Sequence, residues 1–273
     1  EPHTATRERL PMRKYIIKRL LTLIPVLFVV SIAIFLLIHL TPGNPAAAML
    51  GDLATPEAIA RLSESLGLND PLPVQYFRWI SGVFRGNLGT SLFIKGSMIE
   101  ILKNHLVPTL QLTSYAIIIA TVIAVPLGIL AAMKHNGVTD RTISGLAILT
   151  AAAPSFVIAG VLQYVFAYRL GWFPSATWGD GKLRYIILPV LALSSYNLAW
   201  IVKLTRSSML EVINQDYIRT ARAKGLREIV VIYRHMIKNA MVPVIASLAP
   251  MTASILTGSF IVENVFGIPG IGR

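Results

Sequence analysis

The side chains that most often carry catalysis or bind metals are sparse in this sequence and widely separated. The chain has no cysteine, which excludes disulfides and thiolate metal sites. Its histidines form no His-Glu-x-x-His pair and are scattered at His3, His39, His105, His135 and His235. No Gly-x-Ser-x-Gly nucleophile turn and no Gly-x-x-x-x-Gly-Lys-Ser/Thr phosphate loop occurs. These patterns predict a chain that is not an enzyme, holds no metal or cofactor and leaves any ATP chemistry to other chains. A metal site shared by His39 and His105 stays open as a minor alternative.

Long apolar segments make up much of the sequence. The sequence is 54% hydrophobic and 14% charged, whereas soluble domains have roughly 25% charged residues. Several segments without Asp, Glu, Lys or Arg are long enough to cross a hydrocarbon core roughly 30 Å thick. They are Leu20–Leu40, Leu112–Met133, Ile143–Tyr168, Tyr185–Val202 and Asn239–Val262. We therefore predict an all-α polytopic transmembrane helical bundle.

Basic residues gather on one side of the predicted topology. The formal net charge of +12 is concentrated in the tail 1–19 and the loop 203–238, and Lys134 and Arg141 lie between the second and third segments. All three stretches fall on one side if the five segments alternate, and cytoplasmic loops carry an excess of Lys and Arg. This bias predicts a cytoplasmic N-terminus, and it explains the charge without a nucleic-acid partner.

The two ends of the chain give expectations of their own. The first apolar segment, at 20–40, is longer than the roughly 7–15 residues of a signal-peptide core, so we expect an uncleaved anchor. Residues 1–11 precede Met12, which would make a natural start, and they read as an upstream extension. Because five spans would leave Arg273 outside, we expect a sixth span beyond it.

Residues 41–111 are predicted to form an ordered extracytoplasmic insertion, followed by a core at 112–273. Thr55, Pro56 and Glu57 have the residue types of a helix start. An aromatic-rich helix is predicted at 72–84 and a further helix from Ser97. A cap over the membrane helices and a docking platform for an external partner are both compatible with this pattern.

The cytoplasmic loop 203–238 carries the most informative pattern. Asp216 is predicted to cap a short helix that ends at Gly225, with basic residues near the C-terminal end. A second amphipathic helix is predicted after Gly225, and both helices would lie parallel to the membrane. The apolar stripe of this second helix would comprise Leu226, Ile229, Val230, Tyr233 and Ile237. Periodicity alone leaves two functions open, namely binding to anionic lipid and docking to a protein partner.

The residues 217–226, Tyr-Ile-Arg-Thr-Ala-Arg-Ala-Lys-Gly-Leu, are followed by Arg-His at 234–235 and Lys-Asn-Ala at 238–240. This loop resembles that of binding-protein-dependent ABC importer permeases, in the dipeptide, oligopeptide and nickel transport branch. The superfamily motif is Glu-Ala-Ala, three residues, then Gly. Gly225 matches the glycine and Ala221 the second alanine. Arg219 and Thr220 replace the Glu and first Ala, as is typical of the peptide branch.

Other stretches extend the resemblance over 12–273. They are Leu-Thr-Pro-Gly-Asn-Pro at 40–45, Leu-Gly-Leu-Asn-Asp-Pro-Leu-Pro-Val-Gln-Tyr at 66–76, Gly-Asn-Leu-Gly-Thr-Ser at 86–91, and Glu-Asn-Val-Phe-Gly-Ile-Pro-Gly-Ile-Gly at 263–272. The resemblance implies a type I importer permease with five of six spans present. It also implies a location in a bacterial or archaeal inner membrane.

The resemblance further implies partners and a mechanism. The partners would be a second homologous permease in a heterodimer, two ATPase subunits that bind ATP and Mg²⁺, and an extracytoplasmic solute-binding protein. The helix at 216–225 would couple to the ATPases through Asp216, Tyr217, Arg219, Thr220, Ala221, Arg222, Ala223, Lys224 and Gly225. Its basic residues would offer contacts, and Ala221 and Ala223 would permit close packing. The solute stays open among dipeptides, oligopeptides, a nickel chelate and glutathione.

Polar residues inside the apolar segments are candidates for the translocation pathway: Gln163, Ser194, Ser195 and Asn197. Interhelical hydrogen bonds are the competing explanation for each of them. Pro126, Pro154 and Pro189 are predicted to break or bend helices at membrane depth. The alternative function is a channel or secondary transporter that ATP does not drive. The absence of charged residues inside the spans argues against a proton- or voltage-driven machine.

Overall fold

The architecture is that of a computed structural model, which describes residues 12–40, 43–51, 54–91 and 96–273. The described residues form helices joined by turns, with one isolated β-bridge between Thr90 and Ser97. The predicted all-α class is therefore confirmed. The chain divides into two compact units, residues 1–100 and 101–273. The predicted extension 1–11, with the basic residues of the tail it contains, lies outside the described residues, as do positions 41–42 of the proline-rich turn.

The first unit contains four helices: α1 (Met12–Leu40), α2 (Pro45–Leu50), α3 (Pro56–Ser65) and α4 (Leu72–Phe84). Side-chain caps fix two of the helix starts. The Ala46 N–H donates to Asn44 Oδ1 at 2.8 Å, and the Ala58 N–H donates to Thr55 Oγ1 at 3.3 Å. Each cap is followed by proline at the first helical position, where no N–H is needed. The helix start predicted at Thr55 is confirmed.

Helix α4 packs against α1 through Tyr76. The Tyr76 hydroxyl hydrogen-bonds the Ser31 hydroxyl at 2.8 Å, and its ring meets Phe28 and Phe35 edge-on. Ser31 lies within α1, about 13 Å before its end at a rise of about 1.5 Å per residue. Helix α4 therefore packs beside the apolar part of α1.

The second unit is built mainly from long helices. They are α5 (Met98–Met133, whose first turn belongs to the first unit), α6 (Val138–Ala152), α7 (Ser155–Leu162), α8 (Leu183–Ile213), α9 (Asp216–Ala223), α10 (Glu228–Val230) and α11 (Ile237–Phe266). A π-helical segment, Gln163–Arg169, extends α7, and another, Val231–Met236, joins α10 to α11. By length and composition, four helices in the described residues could each cross a membrane, and a bent pair could form a fifth span.

Small residues let α5 approach α8 closely. Ala116, Ala120, Ala124 and Gly128 recur every fourth residue on the buried face of α5. A Cβ atom at Gly128 would lie 2.6 Å from the Thr205 Cβ of α8, closer than real Cβ contacts. Without water to drive association inside a membrane, such small-residue stripes gain van der Waals contact between backbones. The small residues of α5 therefore allow α8 to pack closely against it. Of the long helices, α8 is the most buried.

Of the three prolines predicted to disturb helices, only Pro154 ends one. The preceding Ala153 is extended, with φ −83° and ψ 126°, because the proline ring disfavours helical geometry in the residue before it. The chain bends by 102° between Val138–Ala152 and Ser155–Arg169. Pro126 and Pro189 lie inside the continuous helices α5 and α8.

Two predictions about the end of the loop 203–238 were wrong. The helix after Gly225 is not a separate one parallel to the membrane, since residues 228–266 run on without a break into the last span. The predicted apolar stripe also differs from the buried face, because Ile229 and Tyr233 are exposed while Val231 and Met236 are buried. The hydrogen bonds of a π-helix join residues five apart and widen its turn, so Val231 and Met236 can share one face of the π-helical segment that contains them.

Candidate functional site

Helix α9 has the predicted length but begins and ends one residue earlier than predicted. Asp216 is the first helical residue, and the extended residue before it is Gln215, which makes no side-chain cap. The prediction that Asp216 caps α9 was therefore wrong. The Thr220 hydroxyl donates to the Asp216 carbonyl at 2.9 Å. At the other end Gly225 has φ +72°, a left-handed conformation that favours glycine and stops the helix as predicted.

One face of α9 is fixed in the core of its own chain. Ile218 is fully buried and Ala221 is 5% exposed. Both belong to an apolar cluster with Met209 of α8 and with Val231 and Met236 of the π-helical segment. Ala221 thus packs inside this chain, which differs from the expectation that it leaves room for a partner.

Polar contacts hold α9 to the helix that follows it. The Arg222 guanidinium donates two hydrogen bonds to the Glu228 carboxylate, at 3.0 and 2.6 Å. The Glu228 carboxylate raises the pKa of Arg222, so this guanidinium stays charged. The Asn239 amide donates to the Tyr217 hydroxyl at 3.1 Å. Arg222 and Tyr217 therefore have partners within the chain.

The opposite face of α9 is open. The exposed residues there are Asp216, Arg219, Thr220, Ala223 and Lys224. The Arg219 and Asp216 side chains are 73% and 98% exposed, and their charged atoms are 3.8 Å apart. A fully solvated pair at this distance contributes little stability. The open face therefore combines both charges with a small central residue, Ala223.

The four predicted pathway residues have different environments. Gln163 donates to the Ser175 carbonyl at 2.5 Å and to the Val265 carbonyl at 3.4 Å. The hydroxyls of Ser194 and Ser195 donate to carbonyls three residues earlier on α8. Asn197 instead lines a cavity of about 420 Å³ beside the break between α6 and α7.

Sequence reasoning missed a buried carboxylate, Glu263, near the end of α11. Glu263 is fully buried. The Thr109 hydroxyl donates to its Oε1 at 2.7 Å, and the Gly272 N–H donates to its Oε2 at 2.9 Å. The Ile271 N–H donates to Thr109 Oγ1 at 2.9 Å. The carboxylate thereby ties the glycine-rich turn at 267–272 to α5. The available signal was an acidic residue directly after an apolar span and just before that turn.

A second missed site joins α6 to α8. The Arg206 guanidinium donates to both oxygens of Asp140, at 2.6 and 2.7 Å. Asp140 also accepts from the Asn136 N–H at 2.9 Å and from the Ser144 hydroxyl at 3.2 Å. Its side chain is only 4% exposed. This ion pair ties the first turn of α6 to α8.

Metal-ligand residues do not converge within the part of the chain that the structure describes. No group of three or more His, Asp or Glu side chains there is placed to hold a metal ion. His39 Nδ1 lies 2.8 Å from the Phe35 carbonyl, and His105 Nδ1 lies 2.7 Å from the Ile101 carbonyl. Each histidine thus has a local partner one helical turn away.

The chain matches two related families of membrane transport proteins. Residues 124–273 match the family described as "Binding-protein-dependent transport system inner membrane component", and residues 12–94 match its N-terminal companion family. The chain belongs to this family. It is a membrane permease subunit of an ABC transporter and not itself an enzyme, as the residue patterns and the resemblance predicted.

Named relatives resemble this permease over nearly its whole length. The probable peptide ABC transporter permease of Sinorhizobium fredii is 40% identical over 96% of this chain and 86% of its own. The oligopeptide transport system permease OppB of Salmonella typhimurium is 39% identical over 96% and 85%. The glutathione transport system permease GsiC of Salmonella paratyphi A is 39% identical over the same shares.

A solved structure shows the same fold. The crystal structure of an amino acid ABC transporter with histidines matches with a TM-score of 0.51 and 19% identity. The match covers 64% of this permease and 76% of that chain. At this identity the likeness concerns the fold alone.

Proposed function

We propose that this permease forms half of a translocation pathway for peptides, in the inner membrane of a bacterium or archaeon. Its partners would be a second homologous permease, two ATPase subunits that bind ATP and Mg²⁺, and an extracytoplasmic solute-binding protein. Three relatives at about 40% identity are named for peptides, oligopeptides and glutathione, all of which contain peptide groups. Peptides are therefore the substrate class that best fits this chain.

The observation that carries the coupling role is the two-sided environment of α9. Ile218 and Ala221 fix one face in the core, and the Arg222–Glu228 ion pair closes the turn after the helix. The opposite face, around Ala223, is open. A force applied to that face would pass through rigid contacts to α8 and to the helix 228–266. We infer that the ATPase subunits bind this face.

The same environment favours a protein partner over a lipid surface. An interfacial helix directs its apolar side chains into the lipid and its basic residues towards the headgroups. In α9 the apolar side chains point into the chain's own core, and the open face includes the carboxylate of Asp216. A face that has positive and negative side chains around the small residue Ala223 fits a polar groove on a protein better than it fits an anionic bilayer.

The placement of basic residues supports a cytoplasmic position for α9. The loop 203–238 contains eight Lys or Arg residues and three acidic ones. The positive-inside bias places such a loop, together with the N-terminus, on the cytoplasmic side. This is the side on which ATPase subunits have access to ATP.

A pair of matched substitutions tests the coupling role. Ala223→Arg adds bulk and charge at the centre of the open face, while Ser207→Arg makes the same addition at an exposed position of α8. Each variant is purified with its ATPase subunits and assayed in proteoliposomes for ATP-driven peptide uptake. We expect Ala223→Arg to insert normally, yet to lose ATPase co-purification and at least about tenfold in uptake, the effect of about 1.4 kcal/mol of lost binding. Ser207→Arg should behave as wild type.

The lipid alternative predicts a different result from the same variants. An added arginine on a lipid-binding face would strengthen attraction to anionic lipid, so uptake would be retained or raised in vesicles containing phosphatidylglycerol. Normal ATPase association and uptake of Ala223→Arg would therefore overturn the coupling role.

A further inference from the structure

A cavity of about 420 Å³ lies where α6 ends and α7 begins. We call it the break pocket. Its lining comes from the break itself, from α8 and from α11, and it includes Ala153, Pro154, Ser155, Tyr196, Asn197 and Ser254. None of its lining residues is Asp, Glu, Lys, Arg or His. A solute in this pocket would therefore meet hydrogen-bonding groups and apolar surface but no formal charge.

The polar side chain best placed to bind a solute is Asn197. It is only 6% exposed, and its amide has no hydrogen-bond partner among the described residues, although it lines the pocket. Buried polar groups in proteins are nearly always hydrogen-bonded. The neighbouring Ser194 and Ser195 follow that rule, since both donate to carbonyls of their own helix. The Asn197 amide, with one acceptor and two N–H donors, is thus available for a ligand.

The helix break adds backbone groups to the same pocket. Helix α7 starts at Ser155 without a side-chain cap, and the residue before Pro154 is extended. The first N–H groups and the last carbonyls of a helix have no partners within it. Broken helices at membrane depth present such groups to solutes in many transporters. The break pocket therefore offers donors and acceptors from two sources, both of them uncharged.

We propose that the break pocket binds a peptide group of the transported solute, with the Asn197 amide pairing with a main-chain N–H and carbonyl. This inference rests on the proposed function and specifies how its substrate class is recognised. A peptide group presents one donor and one acceptor, as the primary amide of asparagine does. Since the lining is uncharged and mostly small, the site recognises the main chain and leaves the side chains of the solute largely unselected.

Gly258 of α11 allows the pocket to be filled without disturbing the fold. It lines the pocket, and a Cβ atom added there would meet no other atom within 4 Å. Gly258→Leu should therefore place a branched side chain in the cavity. Gly160 of α7 is a matched control, because it has the same open surroundings but does not line the pocket. Asn197→Leu removes the amide and keeps a side chain of similar size.

The test uses the complex reconstituted with its second permease, ATPase subunits and binding protein. The probes are radiolabelled trialanine and its ester analogue, in which oxygen atoms replace both peptide N–H groups. Wild type and Gly160→Leu should import trialanine faster than the ester. Asn197→Leu should import trialanine at least about tenfold more slowly, the effect of the two lost hydrogen bonds, and should no longer distinguish the two probes. Gly258→Leu should block both probes. ATP hydrolysis stimulated by the binding protein should stay within about twofold of wild type in all variants, because coupling is untouched.

Three results would overturn the inference, and they separate it from the proposed function. If Asn197→Leu and Gly258→Leu both import trialanine at the wild-type rate, the break pocket does not bind the solute, and the proposed importer function is unaffected. Loss of uptake together with loss of ATP hydrolysis in Asn197→Leu would show a structural role for the residue. A wild-type complex that hydrolyses ATP but imports no peptide would refute the proposed substrate class and the inference with it.

Discussion

Asp140 and Glu263 show two ways in which this chain accommodates a buried carboxylate. Asp140 is paired with Arg206, and neutral donors complete its shell of hydrogen bonds. Glu263 has two neutral donors, the Thr109 hydroxyl and the Gly272 N–H. A buried carboxylate without such partners would be strongly destabilising. In both cases the carboxylate joins elements that are distant in sequence, and its loss should loosen a helix contact.

The turn held by Glu263 should not tolerate a side chain at Gly270. A Cβ atom at Gly270 would lie 2.2 Å from the Glu263 Cδ, whose oxygens are fixed by two hydrogen bonds. We expect Gly270→Ala to lower the free energy of unfolding by about 1–3 kcal/mol, as overpacking does. Thermal unfolding of the detergent-solubilised protein measures this change. Gly258→Ala is the control, since no atom lies within 4 Å of its added Cβ. Equal melting temperatures of the two variants would contradict the packing described for the turn.

The Asp140–Arg206 pair should behave as a coupled unit. Asp140→Asn removes the anion beside a guanidinium with 26% side-chain exposure, and Arg206→Gln removes the cation beside a carboxylate with 4% exposure, while His135 stays within 3.1 Å of Arg206 and 3.4 Å of Asp140. Breaking a buried pair from one side costs about 3 kcal/mol or more. The double variant should be more stable than the sum of the single effects by about 1–3 kcal/mol. A double-mutant cycle on thermal stability gives this coupling, and strictly additive effects would show that the pair contributes nothing.

For single residues, the local role of a residue was easier to predict from the sequence than the side chain it pairs with. Arg206 was assigned to the basic loop on charge alone, and nothing in the sequence indicates that Asp140, 66 residues earlier, binds it. Gly225 was predicted correctly because a left-handed helix end favours glycine. The backbone conformation that a helix end requires can be predicted from residues adjacent in sequence. Ion pairs between distant residues depend on how the helices pack.

At the scale of elements, periodicity predicted where helices lie but not every face they bury. The helix at 72–84 and the short helix before Gly225 were found. The stripe after Gly225 was not, since the π-helical segment Val231–Met236 changes the repeat that the prediction assumed. Proline alone also did not indicate where a helix ends, because Pro126 and Pro189 lie inside the continuous helices α5 and α8.

The attachment of α9 should depend on its apolar anchor more than on its ion pair. Ile218 is fully buried, and Ile→Ala changes in cores cost about 2–5 kcal/mol. The Arg222 and Glu228 side chains are 39% and 48% exposed, and exposed pairs contribute at most about 1 kcal/mol. Ile218→Ala should therefore speed amide hydrogen exchange across 216–223 and reduce ATP-driven uptake, while Glu228→Gln should change both little. Faster exchange in Glu228→Gln than in Ile218→Ala would reverse this ranking.

At the scale of the whole molecule, composition and charge placement were the strongest guides. A chain that is 54% hydrophobic with uncharged segments of spanning length left few alternatives to a helical membrane protein. The order of short motifs from 12 to 273 indicated the family, which the family matches over 12–94 and 124–273 confirmed. Composition could not predict the break pocket or the attachment of α9, since both arise from contacts between elements of the second unit.

We propose that ATP hydrolysis is coupled to transport through the open face of α9. Because the chain has no cysteine, a single one can be introduced at Ala223, with Ser207→Cys as the exposed control outside α9. The decisive measurement is cross-linking of each variant, in membranes containing the assembled complex, with a short thiol-to-amine reagent. We predict that Ala223→Cys cross-links to an ATPase subunit, that ATP changes the yield, and that Ser207→Cys gives no such product. Failure of Ala223→Cys to cross-link to an ATPase subunit in a complex that still imports solute would contradict this coupling role.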